Sequence, residues 1–243
     1  MLKVLQSRGG LGSLEIAKSM ISRLGRKRLL EIYHKLGISE AEKTFILDSE
    51  SQPYPFLETF IFGYYDHLKY ENKIVVDVGA QTGDSVLYFW YRGAKLIHAF
   101  EPVDQNYKIL TRNVRLNNIN CKCYNIGLGD SYSREVIRIL GDMAVSSQIN
   151  HEFESTQSAT FFPLDYFRIR PDIVKIDVEG HEERVIIGAL ETLSETNNVV
   201  VETHSKSLSK KTESLLRPLG FSLTKAIRNY ADGNTRIEYW KKK

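Results

Sequence analysis

Four apolar runs of this chain each end on a carboxylate: IVVD at Asp77, LIHAFE at Glu101, DIVKID at Asp177 and VVVE at Glu202. Apolar runs without polar alternation mark strands buried on both faces, as parallel strands are. Segments of helical spacing separate them, and alternating strands and helices build crossover units. The expected fold class is therefore α/β, a doubly wound and mostly parallel sheet with acid groups along its carboxyl edge. Ligands of such sheets sit in the crevice outside that edge.

The reading places strands at 74–79, 95–100, 121–126, 172–177 and 198–203, and helices at 84–92, 104–117, 181–193 and 208–217. Segments 220–228 and 234–240 read as an antiparallel hairpin turned by Asp232-Gly233-Asn234. Residues 130–163 read as polar and irregular, with some β character. Upstream, residues 13–36 have helical spacing (Leu14, Ala17, Ile21, Leu24, then Leu29, Ile32, Tyr33, Leu36), and Gly25 can split them into two helices. A capping box follows at Ser39-Glu-Ala-Glu42. Pro53 and Pro55 punctuate a loop, and the aromatic stretch Phe56–His67 is expected to be helical. This divides the chain into a helical N-terminal extension, 1–70, and an α/β domain, 71–243.

Composition narrows the classes. A hydrophobic content of 42% and a charged content of 26% are those of an ordinary globular protein. The net charge of +3 is too mild to imply a nucleic-acid partner. Residues 1–40 carry eight Lys/Arg against three Glu, a net of +5, including the run Arg26-Lys27-Arg28. Such a run is usually a solvated face; weak contact with an anionic membrane surface is the functional alternative. No run reaches the roughly 18 apolar residues of a membrane span, and MLKVLQSRGG does not read as a secretory signal. Cys121 and Cys123 share one strand face and have no matching pair elsewhere, so they read as reduced structural thiols. The cytoplasm is the expected location. Oligomeric state is not legible.

The first acid-tipped strand runs into a glycine turn, Asp77-Val-Gly79-Ala80-Gln81-Thr-Gly83. Gly79 lets the backbone pass close to a ligand, and Gly83 lets the next helix begin tightly packed. Helix N-terminal N–H groups favour an anion there. The nicotinamide fingerprint needs glycine at 81, where the chain has Gln81. Glu101 ends the next strand 24 residues after Asp77. A carboxylate there can accept both hydroxyls of a ribose.

Three segments together resemble the FkbM family of methyltransferases: Asp77-Val-Gly-Ala-Gln-Thr-Gly83, Phe100-Glu-Pro-x-x-x-Asn106-Tyr107-x-x-Leu110-x-x-Asn113-x-x-Leu116-Asn117, and Lys175-Ile-Asp-Val-Glu-Gly-His-Glu182. The resemblance covers roughly residues 56–205. It implies a Rossmann-like class I methyltransferase fold, with a mostly parallel seven-stranded sheet, and S-adenosylmethionine as cofactor. It implies that Gly79, Ala80 and Gln81 pass beside the methionine part, with Asp77 behind them and Gly83 opening the helix. Glu101 would hold the ribose, and Pro102, Val103 and Leu128 would lie against the adenine. The family often shows alanine where this chain has Gly127. Leu164-Asp165 matches its Leu-Asp pair before the fourth strand.

The acceptor side is expected around Asp177, Glu179, His181, Glu202 and His204. Residues two apart in extended chain share a face, so Asp177 and Glu179 can both point into the crevice. Three readings compete. Asp177, Glu179 and Glu202 could hold a divalent metal that acidifies a hydroxyl, though no residue is assigned as a metal ligand and metal is the less favoured reading. His181 or His204 could be a general base. Or the acids could cap helices and pair with Lys175 or Arg184. His98, on an apolar strand, is expected to be packing. The resemblance favours O-methylation of a hydroxyl on a sugar, glycan or other secondary metabolite, since the loop after the fourth strand lacks the Asn/Asp-Pro-Pro-aromatic element of base N-methylation. A non-catalytic cofactor-binding module is the alternative, and an NAD-dependent oxidoreductase the weaker one.

Overall fold

The computed structural model describes residues 48, 51, 55, 59–60, 63–140, 143–145, 155–228 and 235–243. The helical spacing at 13–36, the capping box at Ser39, the basic run at Arg26, Pro53 and the hairpin turn at 232–234 lie outside them, while Pro55, Thr59 and Phe60 are helical. In chain order the elements are β1 (Ile74–Val78), α1 (Asp84–Tyr91), β2 (Leu96–Phe100), α2 (Asp104–Leu116), β3 (Cys121–Tyr124), β4 (Gly127–Leu128), β5 (Ser133–Leu140), β6 (Met143–Val145) and β7 (Ser155–Phe162). After a 3₁₀ turn, Leu164–Phe167, come β8 (Ile173–Ile176), α3 (Glu182–Ile187), α4 (Leu190–Glu195), β9 (Asn198–Thr203), α5 (Lys206–Leu216), β10 (Phe221–Arg228) and β11 (Arg236–Lys242).

The main sheet has seven strands in the order β10-β11-β9-β8-β1-β2-β3. Its central strands are parallel, and β11 runs antiparallel to both β9 and β10. The chain winds outward from β1 through β2 to β3, then returns to β8 on the other side of β1. That reversal makes the β1/β8 edge the switch point, where ligands of such sheets bind.

Period-two alternation sorts the core. Val75, Ile97 and Val200 face one side of the sheet with Leu87, Phe89, Tyr65, Tyr70 and Tyr239. Val76, Val78, Val174, Ile176 and Val201 face the other with Val185, Leu193 and Trp240. Each large apolar side chain so buried stabilises the fold by about 1.5–3 kcal/mol. Asp77 and Lys175 share the first face with their neighbours two residues away, which places them inside the protein.

Three segments differ in detail from the reading of the sequence. The helix expected at 181–193 is two short helices. They meet at Gly188, where a Cβ would lie 1.9 Å from the Gly129 carbonyl oxygen, so only glycine allows this close approach to the chain after β4. Region 130–163 supplies β5, β6 and β7 of a second sheet, ordered β4-β7-β5-β6. Ile137, Ala159 and Phe161 of that sheet pack on Val103, while Arg134, Val136 and Arg138 face outward. Its alternation is masked in the sequence because polar residues occur on both faces. Upstream, residues 64–67 form turns where the aromatic spacing predicts helix. Tyr64, Tyr65 and Tyr70 nonetheless enter the core.

The preceding residues reach the sheet's ligand edge. Asp48 N–H donates to Asn113 Oδ1 at 2.7 Å, and Arg112 pairs with Asp48 at 2.8 Å. Asn113 Nδ2 in turn donates to the Thr82 carbonyl at 2.7 Å. Cys121 and Cys123 are free thiols with sulfurs 3.7 Å apart on β3. His98 sits on β2 with Nδ1 3.0 Å from the Tyr124 hydroxyl, and burial holds its imidazole down at about 4. No helix among the described residues is long and apolar enough to cross a membrane.

Candidate active site

The turn after β1 is shaped by what lies on either side of it. Gly79 has φ +77, and a Cβ there would lie 1.8 Å from the Asp177 carbonyl oxygen. Only glycine lets β8 approach this closely. Gly83 also has positive φ, +94, and presses against Leu110 of α2. Between them Gln81 has φ 45, which turns its N–H toward Glu101 Oε2 at 2.9 Å. Glu101 Oε1 accepts from Val103 N–H at 2.9 Å. Burial pushes the Glu101 carboxyl up to about 7, against these hydrogen bonds. Oε1 also accepts a longer bond from Asn106 Nδ2 at 3.5 Å, so Oε2, with its single donor, is the oxygen more open to a ligand hydroxyl.

The flanking residues are fixed as well. Ala80 is buried, and the Pro102 carbonyl accepts from Gln157 Nε2 at 2.9 Å. Leu128 is buried with Phe100 and Leu164. At Gly127 a Cβ would lie 2.3 Å from the Phe161 ring, so this ring occupies the space an alanine methyl would take. Asp165 accepts from the N–H groups of Glu191 and Thr192, at 3.0 and 2.8 Å, and caps α4.

At the ends of β8 and β9 the construction is ionic. Lys175 is 2% exposed, and its ammonium lies 3.1 Å from Asp77 Oδ1 and 3.6 Å from Asp177 Oδ2. It also donates to the Gly79 carbonyl at 2.7 Å. Burial works against its charge, but Asp77, Asp177 and Asp84 hold it above the usual lysine range. Asp77 accepts a second bond from Ser85 Oγ at 2.6 Å. Nearby Asp84 accepts from Thr59 Oγ1 at 2.7 Å, and burial raises its carboxyl to about 6.

His204 is the hub of the outer cluster. Its Nδ1 lies 2.6 Å from Glu182 Oε1, which also accepts from Gly180 N–H at 3.0 Å. Its Nε2 lies 3.3 Å from Glu179 Oε2 and 3.8 Å from Asp177 Oδ1. The successive positive φ angles of Glu179 and Gly180, 50 and 101, reverse the chain after β8 and bring Glu179 to the ring. Burial opposes a charge on His204, but the Glu182 hydrogen bond and the charges of Glu179 and Asp177 outweigh it and raise the imidazole. Burial raises the Glu179 carboxyl too, with His204 opposing. Asp177, Glu179 and His204 each offer a ligand atom within 4.8 Å of the other two, the one such group among the described residues.

The structure thus gathers Asp177, Glu179 and His204 but not the other two candidates. His181 precedes α3 without a side-chain capping bond and turns to Phe161, ring centroids 6.4 Å apart, where burial and Arg184 depress its imidazole. Glu202 is buried on β9, and its charge acts on the hydroxyls of Tyr65 and Tyr239. Two residues not assigned a site role from the sequence hold the cluster: Lys175, expected there only as an ion-pair partner, and Glu182 of the same motif. A lysine inside an otherwise apolar strand between two acid-tipped neighbours was the available signal for the first. The second had no local signal, because its partner is 22 residues away.

The comparisons with known proteins agree with this architecture. The model of the methyltransferase FkbM domain matches residues 77–230. The chain belongs to the FkbM methyltransferase family. Among curated relatives, methyltransferase sdnD of Sordaria araneosa is 30% identical over 196 residues, covering 63% of this chain and 75% of the relative. Among solved structures, Aeropyrum pernix fibrillarin in complex with S-adenosyl-L-methionine superposes with a TM-score of 0.51 at 13% identity, covering 76% of this chain and 75% of that one. Precorrin-6y C5,15-methyltransferase of Geobacter metallireducens gives 0.51 at 13% identity, covering 82% and 94%. At such identities the two structures speak for the fold that the FkbM chain shares, a class I methyltransferase sheet.

Proposed function

We propose that this FkbM methyltransferase uses S-adenosylmethionine to methylate a hydroxyl oxygen of a sugar, glycan or secondary metabolite. The observation that carries the reading is the meeting of two half-sites at the β1/β8 switch point. On one side stands the Glu101 carboxylate, and on the other the Asp177–Glu179–His204 group. Lys175 joins them by holding Asp77, Asp177 and the Gly79 carbonyl together.

The residues fit the cofactor. A buried carboxylate oriented by main-chain donors on both oxygens, with a long third bond from Asn106 on one of them, suits the hydroxyls of a ribose. Gly79, Ala80 and Gln81 would border the methionine part, and Pro102, Val103 and Leu128 the adenine. When bound, the cofactor supplies an activated methyl whose carbon–sulfur electron pair stays on sulfur as the carbon–oxygen bond forms. The protein must then align the acceptor, exclude water and let the hydroxyl lose its proton. Alignment of this kind supplies on the order of 7–11 kcal/mol in the best intramolecular cases. The Asp177–Glu179–His204 group is where the hydroxyl would sit and be deprotonated. Region 130–163 and the segment before residue 71 would shape acceptor choice around the α/β domain.

The test is methyl transfer from labelled cofactor to a panel of hydroxylated glycans and metabolites. A base-stable methyl ether, formed by the wild type and lost in Glu101→Ala, is the expected product. Cofactor binding with no transfer to any hydroxyl, or transfer to nitrogen, would overturn the reading.

A further inference from the structure

We propose that Asp177, Glu179 and His204 bind a divalent first-row metal ion through one oxygen of each carboxylate and Nε2 of the imidazole. Bonds of about 2.0–2.2 Å to nitrogen and oxygen bring neighbouring ligand atoms to about 3 Å apart. The distances of 3.3 and 3.8 Å from Nε2 to the carboxylate oxygens need only small closing movements to reach that. Asp177 and Glu179 are partly open to the crevice, which leaves coordination positions for water or an acceptor.

What lies behind the histidine is a second, separate indication. Glu182 is wholly buried and takes His204 Nδ1 at 2.6 Å, which leaves Nε2 free to face the two carboxylates. A carboxylate on the far ring nitrogen is the usual support of a metal-binding histidine. The other oxygen of this same carboxylate, Oε2, is buried with no hydrogen-bond partner among the described residues. Lys175 pairs with Asp77 at 3.1 Å and with Asp177 Oδ2 at 3.6 Å, the carboxylate oxygen other than the one nearest His204. Among the described residues no Lys or Arg pairs with Glu179 or Glu182.

One imidazole with two carboxylates suits Mn²⁺ or Zn²⁺ better than an all-oxygen ion such as Ca²⁺. The consequence for chemistry rests on the hydroxyl-methylation reading. An acceptor hydroxyl on the ion would be acidified, its proton would pass to solvent, and its oxygen lone pair would take the methyl as the carbon–sulfur pair stays on sulfur. His204 is then a ligand and not the general base.

The experiment is Mn²⁺ titration of chelator-treated, cofactor-free protein, followed by loss of the free-ion paramagnetic resonance signal. We expect one saturable ion per chain. Asp177→Asn, Glu179→Gln and His204→Gln should each weaken it at least about tenfold, and Glu182→Gln about 10–100-fold. Glu183→Gln, which alters the neighbouring pair with Lys211, should leave it unchanged. Near-UV circular dichroism identifies variants that fail to fold. No saturable binding to wild type, or binding that survives in folded His204→Gln and Asp177→Asn, would overturn the site. Mn²⁺ binding without transfer to hydroxyls would sink the substrate reading and leave the site standing. Transfer that persists in a protein that binds no Mn²⁺ would do the reverse.

Discussion

At the ends of β1 and β2 the candidate site is made of main chain. Gln81 and Val103 offer N–H groups to a single carboxylate, and two glycines with positive φ allow the close approaches around it. At the ends of β8 and β9 it is made of side chains. Lys175, Asp177, Glu179, Glu182 and His204 hold one another across three elements. The first kind of site depends on few residue identities and tolerates change around them. The second depends on each member, because removing one leaves another buried charge unpaired. The two halves touch where Gly79 meets the Asp177 carbonyl and where Lys175 donates to Gly79.

That contrast can be broken most sharply at the joint. Lys175→Met removes the buried cation from two aspartates, and breaking such a pair costs about 3–5 kcal/mol. Urea unfolding should show a loss of that order, and a loss under about 1 kcal/mol would mean that the ionic half is not interlocked. Gly79→Ala comes next. A left-handed non-glycine residue costs about 1–3 kcal/mol, and the clash with Asp177 adds to it, so the same measurement should show a loss of at least about 2 kcal/mol.

The main-chain half makes a prediction about pH. In the proposed reading Glu101 would accept ribose hydroxyls as a carboxylate, and burial raises its carboxyl to about 7. Below that pH it is protonated and one oxygen becomes a donor. Cofactor affinity should therefore rise between about pH 6 and pH 8, by no more than about tenfold per pH unit, and then level off. Glu101→Gln should bind weakly with no such slope. A slope that persists in the variant would assign the titration elsewhere.

The smallest effect is expected away from the joint. Arg184 pairs with Glu135 at 2.7 Å and with Asp130 at 3.0 Å, and this hydrogen bonding holds the Glu135 carboxyl down at about 2. That stability is present above the unfolded carboxyl range and is lost as pH falls toward about 2. With the pair near a third exposed, Glu135→Gln should cost no more than about 1 kcal/mol. A larger loss would extend the ionic half to the second sheet.

The same contrast explains what the sequence reveals. The sheet, its switch point and the turn from Asp77 to Gly83 are legible, because backbone-built features need glycine and an acid at fixed local spacing. The His204 cluster is legible only in part. Asp177 and Glu179 share a short motif, but the choice of His204 over His181 depends on Glu182 reaching across to the end of β9. Lys175 is legible as an ion-pair partner of these acids, but its burial between Asp77 and Asp177 is not, because lysine is ordinarily a surface residue. The second sheet is hidden because Glu135 and Gln157 occupy its inner face beside Ile137 and Ala159, which blurs the alternation that marks a strand.

The central claim is that cofactor binding belongs to the main-chain half and acceptor chemistry to the ionic half. Calorimetric titration of S-adenosylmethionine into wild type, Glu101→Ala and His204→Gln tests it without knowledge of the acceptor. The two charge-assisted hydrogen bonds lost with Glu101 are worth enough that affinity should fall at least about tenfold. His204→Gln should stay within about twofold of wild type. Equal affinity in Glu101→Ala, or a loss in His204→Gln as large as that in Glu101→Ala, would contradict this division.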